Sequence, residues 1–88
     1  MKITVIHHAQ IRRLAGVAEE GVELADGATV ADAMRRAPGA AAATELLFDA
    51  EGRLQPVILT VLNGVPSAPD QPLRAGDTLA LFSPVAGG

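Results

Sequence analysis

Alternating apolar and polar positions predict a strand at each end of the first 24 residues. In residues 2 to 8 the alternation separates two faces of a strand. One face carries Ile3, Val5 and His7, and the other carries Lys2, Thr4, Ile6 and His8. Residues 20 to 24 form the second strand, with Val22 and Leu24 pointing inward. Between the strands, residues 9 to 15 have helical spacing and are followed by Gly16, which suits a helix C-cap.

A second helix is predicted from Thr29 to about residue 37. Thr29 and Asp32 have the spacing of a capping box in its shorter, aspartate form. The positions expected to be buried on this helix are Val30, Ala33, Met34 and Ala37. Pro38-Gly39 is expected to end it.

The next segment is less regular. Residues 40 to 47 fit either a helix or a loop, since the alanine run favours a helix only weakly. Residues 50 to 53 fit a turn between short extended pieces. The middle of the chain, residues 38 to 56, is therefore the part whose structure the sequence predicts least well.

The C-terminal half predicts two more strands. Residues 57 to 62 are the most strand-like stretch, and Asn63-Gly64 closes it. The prolines between residues 66 and 72 indicate a loop, and residues 78 to 82 form the last strand. An amphipathic helix and a half-buried sheet each need an apolar partner, so this order predicts one α+β domain with a mixed sheet and the main helix across one face.

Composition narrows the possible functions. Of the 88 residues, 49% are hydrophobic, enough for a core. With 2% aromatic residues and a formal net charge of −3, the chain lacks the stacking platform and the basic face of nucleic-acid binders. It has no cysteine for a disulfide, a thiolate metal site or a nucleophile. Its longest aliphatic stretch is far shorter than the ~20 residues of a membrane span. We therefore expect a soluble, cytoplasmic protein that binds neither nucleic acid nor membrane.

The sequence ends in Ser83-Pro84-Val85-Ala86-Gly87-Gly88, where the alternation stops. Pro84 fixes its own φ and biases Ser83 toward extended geometry, so six residues reach roughly 20 Å from the domain. Glycine has no Cβ atom, so a Gly-Gly end can enter a narrow tunnel into a partner's active site. Its last carbonyl is not shielded from an attacking group by side chains. The alternative is a frayed terminus that ends in small residues. We predict a domain at residues 1–82 and an extended tail at residues 83–88.

Three segments resemble the MoaD/ThiS sulfur-carrier family, and the likeness is closest to the small subunit of molybdopterin synthase. Residues 73 to 88, LRAGDTLALFSPVAGG, resemble its C-terminal signature, which commonly ends in Pro-Pro-Val-x-Gly-Gly. Residues 9 to 16 resemble its Ala-x-x-Arg-x-Leu-x-Gly segment, and residues 61 to 64 add to the likeness. Ser83 replaces the first proline of the usual pair, and His7-His8 stands where related subunits usually have apolar or aromatic residues. The resemblance implies a ubiquitin-like β-grasp fold with a mixed sheet of four or five strands.

The resemblance also implies a carrier mechanism, in which this chain is a non-catalytic subunit of a sulfurtransferase complex. A ubiquitin-activating-type enzyme would use ATP to adenylate the Gly88 carboxylate, and a persulfide donor would convert the adenylate to a thiocarboxylate. The molybdopterin synthase large subunit would then receive the sulfur. Gly87 and Gly88 form the reacting end, and Pro84, Val85 and Ala86 are expected to contact partners. ATP is used by the activating enzyme, so this chain itself is expected to bind no cofactor.

Three residues outside the tail are candidates for docking to partners. Phe82 should turn outward beside the tail if the leucines of its strand face the core, and aromatic residues are enriched in interfaces; the alternative places it under a loop. His8 shares the outward face of the first strand, while His7 points the other way, so the two can hardly ligate one metal ion. Arg12 matches the family's arginine, although a solvated helix face is the commoner explanation. Asp77 fits a turn or a cap better than a functional role.

Other functions fit the same tail. One is a sulfur carrier for thiamine, cysteine or a secondary metabolite. Another is a ubiquitin-like modifier joined to protein lysines; Lys2 is the only lysine here, which disfavours lysine-linked chains but not single conjugation. A third is a β-grasp interaction module with an inert tail. The sequence does not name the sulfur acceptor, the activating enzyme or the stoichiometry.

Overall fold

The computed structural model describes residues 1 to 83, and residues 84 to 88 lie outside that part. Its strands are β1 (Lys2–His7), β2 (Glu19–Glu23), β3 (Leu59–Leu62), β4 (Val65–Pro66) and β5 (Thr78–Phe82). They form one sheet in the order β2-β1-β5-β3-β4. β1 and β5 run parallel, and the other neighbours are antiparallel. The predicted α+β domain with a mixed sheet is confirmed.

Four short helices accompany the sheet: α1 (Ala9–Ala15), α2 (Val30–Arg36), α3 (Pro38–Ala42) and α4 (Thr44–Leu47). The capping box at the start of α2 is confirmed. Thr29 Oγ1 accepts from the Asp32 amide at 3.3 Å, and Asp32 Oδ2 accepts from the Thr29 amide at 2.9 Å. The bond from the Thr29 amide is the main reason why the pKa of Asp32 is lowered. The four positions predicted to be buried on this helix are all buried: Val30, Ala33, Met34 and Ala37.

The predicted end of the second helix at Pro38-Gly39 is confirmed, and the structure adds a further helix that begins there. α2 does end before Pro38, with Ala37 in an extended conformation, but Pro38 then begins α3. Proline is well suited to a first helical position because its missing N–H has no partner to lose there. The uncertain stretch at residues 40 to 47 belongs to α3 and α4. The predicted turn at residues 50 to 53 is enclosed by a bridge between Phe48 and Leu54.

The strand boundaries differ from the prediction around β3. The strand begins at Leu59, two residues later than expected, and Pro66, which the sequence places in a loop, belongs to β4 together with Val65. Asn63 and Gly64 have φ values of 50° and 84°, the left-handed backbone that a tight hairpin of this kind requires. Pro66 is tolerated because β4 lies at the edge of the sheet, where one missing N–H breaks no ladder.

The core lies between the helices and one face of the sheet. That inner face is supplied by Ile3, Val5, Leu79 and Leu81, and the helices add Ile11, Met34 and Leu47. Leu14 of α1 is 47% exposed and lies at a shallow groove lined by α3 and α4. Within residues 1 to 83, no helix has the length and apolar character needed to cross a membrane.

Candidate functional site at the end of β5

The parallel pairing of β1 and β5 fixes where the tail begins. His7 lies beside Leu81, so both strands finish at the same edge of the sheet. After β1 the chain turns into α1 at Ala9, whose φ of 51° is in the left-handed region. After β5 comes Ser83, the last described residue, which is buried. The predicted reacting end and tail contacts lie outside the described residues and stay predictions: Pro84, Val85, Ala86, Gly87 and Gly88.

The outer side of the sheet carries a group of apolar side chains next to this edge. One row across the strands consists of Ile6, Ala80 and Val61. The next row, nearer the tail, contains Phe82 and its cross-strand partner Leu59, whose side chain is 48% exposed. We call this surface the open face and define it as Ile6, His8, Leu59, Val61, Ala80 and Phe82. Leu59 is exposed and the other five residues are partly exposed. A contiguous apolar surface that solvent reaches on a small domain is typical of an interaction site.

Phe82 and His8 stack on one another at the end of the open face. Their ring centroids are 4.2 Å apart and their planes are within 5° of parallel. Leu79 and Leu81 are buried on the opposite side of β5, which confirms that Phe82 points outward. The stack holds the Phe82 ring in place while leaving it half-buried. Two of the candidate docking residues, His8 and Phe82, are therefore in contact, and Phe82 directly precedes Ser83 in the chain.

Arg12 is not part of the open face. It is exposed on α1, where it lines a shallow groove with Arg13 and Val17, and the same helix inserts Ile11 into the core. The structure therefore places Arg12 in the helix layer, apart from His8 and Phe82. Its predicted contact with a partner stays a prediction.

His7 lies on the inner side of the sheet and has a partner that the sequence analysis missed. Its Nε2 is 2.5 Å from Glu20 Oε2, and the His7 side chain is fully buried. The Glu20 carboxylate also accepts from the Gly39 amide at 2.9 and 3.0 Å. Among the described residues His7 Nδ1 has no hydrogen-bond partner, so the contact of Nε2 with Glu20 is the hydrogen bond of this buried ring. His7 and Glu20 thus join β1, β2 and α3.

The sequence contained one indication of this network, namely the inward direction of the His7 side chain. Alternation places His7 in the core, and a buried imidazole needs a partner. The sequence did not supply the strand register that brings Glu20 to it. His8 lies on the opposite side of the sheet, so the two histidines do not meet, and residues 1 to 83 contain no group of three potential metal-ligating side chains.

Asp77 shapes the turn that leads into β5. Its Oδ1 accepts from Asn63 Nδ2 at 2.9 Å, and its Oδ2 accepts from the Arg74 amide at 2.8 Å. The bond from Asn63, followed by that from Arg74, lowers the pKa of Asp77. Asn63 Oδ1 in turn accepts from the Thr78 amide at 2.9 Å. The predicted turn role of Asp77 is confirmed, and these bonds link the β3–β4 hairpin to the strand that carries Phe82.

Comparison with known proteins decides the family. The sequence pattern described as the ThiS family matches residues 5–88. The chain belongs to the ThiS family. It is 38% identical over 81 residues to small archaeal modifier protein 1 of Haloferax volcanii, which covers 91% of this chain and 93% of that protein.

Solved structures of similar proteins agree with this family assignment and show the same fold. The crystal structure of SAMP1 from Haloferax volcanii matches with a TM-score of 0.93 and 34% identity over 100% of both chains. A putative molybdopterin converting factor, subunit 1, from Pyrococcus furiosus matches with a TM-score of 0.73 and 29% identity, covering 97% of this chain and 99% of that one. The ubiquitin-like β-grasp fold and the family resemblance are confirmed. This ThiS-family chain falls among the sulfur carriers and ubiquitin-like modifiers.

Proposed function

We propose that this chain is a sulfur carrier whose C-terminal Gly88 is activated by adenylation and converted to a thiocarboxylate. The observation that carries the proposal is the extent of the ThiS match, which continues through the tail to residue 88. A glycine pair suits this use because neither residue has a side chain that would shield the last carbonyl from an attacking group.

The chemistry needs partners because a carboxylate is a poor acceptor. In the activating enzyme, a Gly88 carboxylate oxygen attacks the α-phosphorus of ATP, and pyrophosphate leaves. The terminal sulfur of a persulfide then attacks the acyl carbon and AMP leaves with the bonding electrons. A thiol next cleaves the resulting acyl disulfide to release the thiocarboxylate. This chain supplies the tail and the surface that holds it in place, while nucleotide and sulfur are brought by the partners.

The open face is the proposed docking surface for the activating enzyme. Phe82 lies two residues before Pro84, so a protein bound to the stacked His8–Phe82 pair would have the start of the tail at the border of its interface. Aromatic side chains are enriched in interface cores, and Leu59 extends the apolar surface beside them. Docking through these residues would leave Gly87 and Gly88 free to enter an active site.

The pathway has two candidates. The first is molybdopterin synthesis, with this chain as the small subunit of molybdopterin synthase and the large subunit as its partner. It is supported by the likeness to the Pyrococcus furiosus protein. The second is protein modification, supported by the 38% identity to a Haloferax volcanii protein named as a modifier. The activated tail serves either use, since sulfur and a lysine amine attack the same acyl carbon.

Mass spectrometry of the intact chain tests activation and sulfur loading. The purified chain is incubated with the ubiquitin-activating-type enzyme from the same genome, ATP and a persulfide donor. We expect its mass to rise by about 16 Da, as sulfur replaces one oxygen. A variant lacking Gly87 and Gly88 is the matched control and should not change. An unchanged mass for the full chain, under conditions that load a known carrier, contradicts the proposal.

Affinity purification from native cells separates the two pathways. Recovery of a molybdopterin synthase large subunit with the tagged chain supports the first. A ladder of larger products that contain this sequence through an isopeptide bond supports the second. The variant without Gly87 and Gly88 distinguishes them further, because it should lose the ladder while keeping contacts made through the open face.

A further inference from the structure

Two buried polar side-chain atoms near the start of the tail have no hydrogen-bond partner within residues 1 to 83: His7 Nδ1 and Ser83 Oγ. His7 is 1% exposed and Ser83 is 8% exposed. Folded proteins leave few buried polar groups unpaired, because such a group loses its hydrogen bonds to water without gaining others. Each of the two atoms therefore needs a partner that lies close to it.

The sheet brings these two residues to the same place. His7 lies beside Leu81 in the parallel pair of β1 and β5, and Ser83 follows Leu81 by two residues, on the same, inner side. With about 6.6 Å along β5 and about 4.8 Å across to β1, the two Cα atoms are about 8 Å apart. A serine oxygen and an imidazole nitrogen can close that gap through a direct hydrogen bond or through one water molecule.

The other polar side chains on this side of the sheet are already engaged. His7 Nε2 is bound to the Glu20 carboxylate at 2.5 Å, so the ring cannot turn its Nδ1 elsewhere without breaking that contact. On the far side of β5, Thr60 Oγ1 donates to the Ser67 carbonyl at 2.7 Å. A serine hydroxyl can both donate and accept, so it suits Nδ1 whether the ring is neutral or protonated. Within residues 1 to 83, His7 Nδ1 and Ser83 Oγ are thus the matching pair that remains.

We propose that His7 and Ser83 form a hydrogen bond, directly or through one water molecule, which makes Ser83 a positioning residue for the tail. The positioning role rests on the proposed activation of Gly88. Ser83 stands where the resembled subunit usually has a proline, so the ring that would restrict φ at this position is absent. The bond from His7 supplies that restriction instead. Because Glu20 holds His7 in turn, the first tail residue is tied to β1, β2 and α3.

Loss of this bond should lower the turnover of activation rather than the affinity of docking. Holding the backbone of one residue in a single conformation is worth about five- to thirtyfold in an equilibrium constant. An activating enzyme that has bound the open face must still order that residue before Gly88 reaches its active site. We therefore expect Ser83→Ala to reduce kcat for ATP-dependent activation at least about fivefold, while KM changes by less than about twofold.

Nuclear magnetic resonance tests the hydrogen bond without any partner enzyme. In the full-length chain, isotopically labelled at the histidine nitrogens, the Nδ1 resonance of His7 should move in Ser83→Ala. It should keep its parent position in Ser83→Thr, which retains the hydroxyl. Activation kinetics are measured on the same samples as pyrophosphate release with the activating enzyme, ATP and hydroxylamine. Ser83→Pro, which restricts φ without a hydroxyl, should move the resonance as alanine does yet recover most of the parent kcat.

Several results would overturn the inference. If the Nδ1 resonance stays in place in Ser83→Ala, or moves as far in Ser83→Thr, the Ser83 hydroxyl does not bind His7. A moved resonance with an unchanged kcat, or a Ser83→Pro variant as slow as Ser83→Ala, shows that the bond does not position the tail. A raised KM at constant kcat assigns Ser83 to docking instead. A parent chain that is not activated contradicts the proposed function and the positioning role together, whereas the resonance still decides the hydrogen bond.

Discussion

Replacing Glu20 by alanine removes the acceptor of two donors inside the domain. His7 Nε2, which is fully buried, and the Gly39 amide at the start of α3 both lose their hydrogen bond to the Glu20 carboxylate. A buried donor left without a partner costs about 1–3 kcal/mol. The Glu20 side chain is 14% exposed, so water can enter part of the space that it vacates. We therefore apply the full range to one of the two donors and the lower half of the range to the donor that water reaches more easily.

The expected loss for Glu20→Ala is therefore about 2–5 kcal/mol of the free energy of unfolding. That is a large fraction for a chain of 88 residues, whose total stability should be about 4–13 kcal/mol. For a domain of this size each kcal/mol lowers the melting temperature by about 4–8 °C, so it should fall by about 8–40 °C. Urea titration followed by far-UV circular dichroism measures the free energy, and a thermal scan measures the temperature.

Glu19→Ala is the matched control, because Glu19 is the preceding residue of β2 and is exposed. Its substitution should change the free energy of unfolding by less than about 0.5 kcal/mol. Glu20→Gln should fall between the two, since one amide oxygen can accept from only part of the network. If Glu20→Ala and Glu19→Ala have the same midpoint and slope in urea, the network contributes nothing to stability and the reasoning is refuted.

Three further outcomes follow from named contacts. Phe82→Ala should raise the KM for activation about tenfold or more by removing an aromatic anchor from the open face, whereas Leu14→Ala, on the helix layer, should not; equal values for both variants would rule out docking through Phe82. The lowered pKa values of Asp32 and Asp77 mean that each carboxylate contributes stability above its usual pKa of 3.8 and loses it as the pH falls through the lower folded value. Unfolding free energies should thus decline from about pH 4 downward, and less steeply in a variant with asparagine at both positions; identical slopes would contradict this assignment. Thr29→Ala should cost about 0.5–2 kcal/mol by removing the N-cap of α2, and a chemical denaturation midpoint equal to that of the parent chain would show that the capping bond is dispensable.

Local rules predicted the parts of the fold that depend on neighbours in sequence. Alternation placed β1 and β5 with their correct faces, and the Thr29–Asp32 spacing located the start of α2. The errors arose where two signals compete. Pro38 both ends one helix and begins the next, and the sequence predicted only the first role; the second is accompanied by the packing of Gly39 against Glu20 and His7. Pro66 indicates a loop unless its strand lies at an edge, which is a property of the assembled sheet.

As with the fold, the sequence predicted those features of the candidate site that depend on neighbouring residues in the chain. Strand alternation turned Phe82 and His8 outward, but their contact depends on the parallel pairing of β1 with β5, which no local pattern specifies. The same pairing determines that Leu59 and Val61 complete the open face. Glu20 was missed because its role is set by register across β1 and β2. The tail residues that carry the proposed chemistry were identified by family resemblance and by their glycines.

The central claim is that Gly88 carries sulfur in the living cell, and the intact mass of the native chain tests it most directly. The protein is isolated from its own cells under thiol-free conditions and measured without digestion, beside the same chain from cells lacking the activating enzyme. We predict a species about 16 Da heavier than the carboxylate form, located by fragmentation at Gly88 and absent without the enzyme. A single carboxylate species in both preparations would contradict the account.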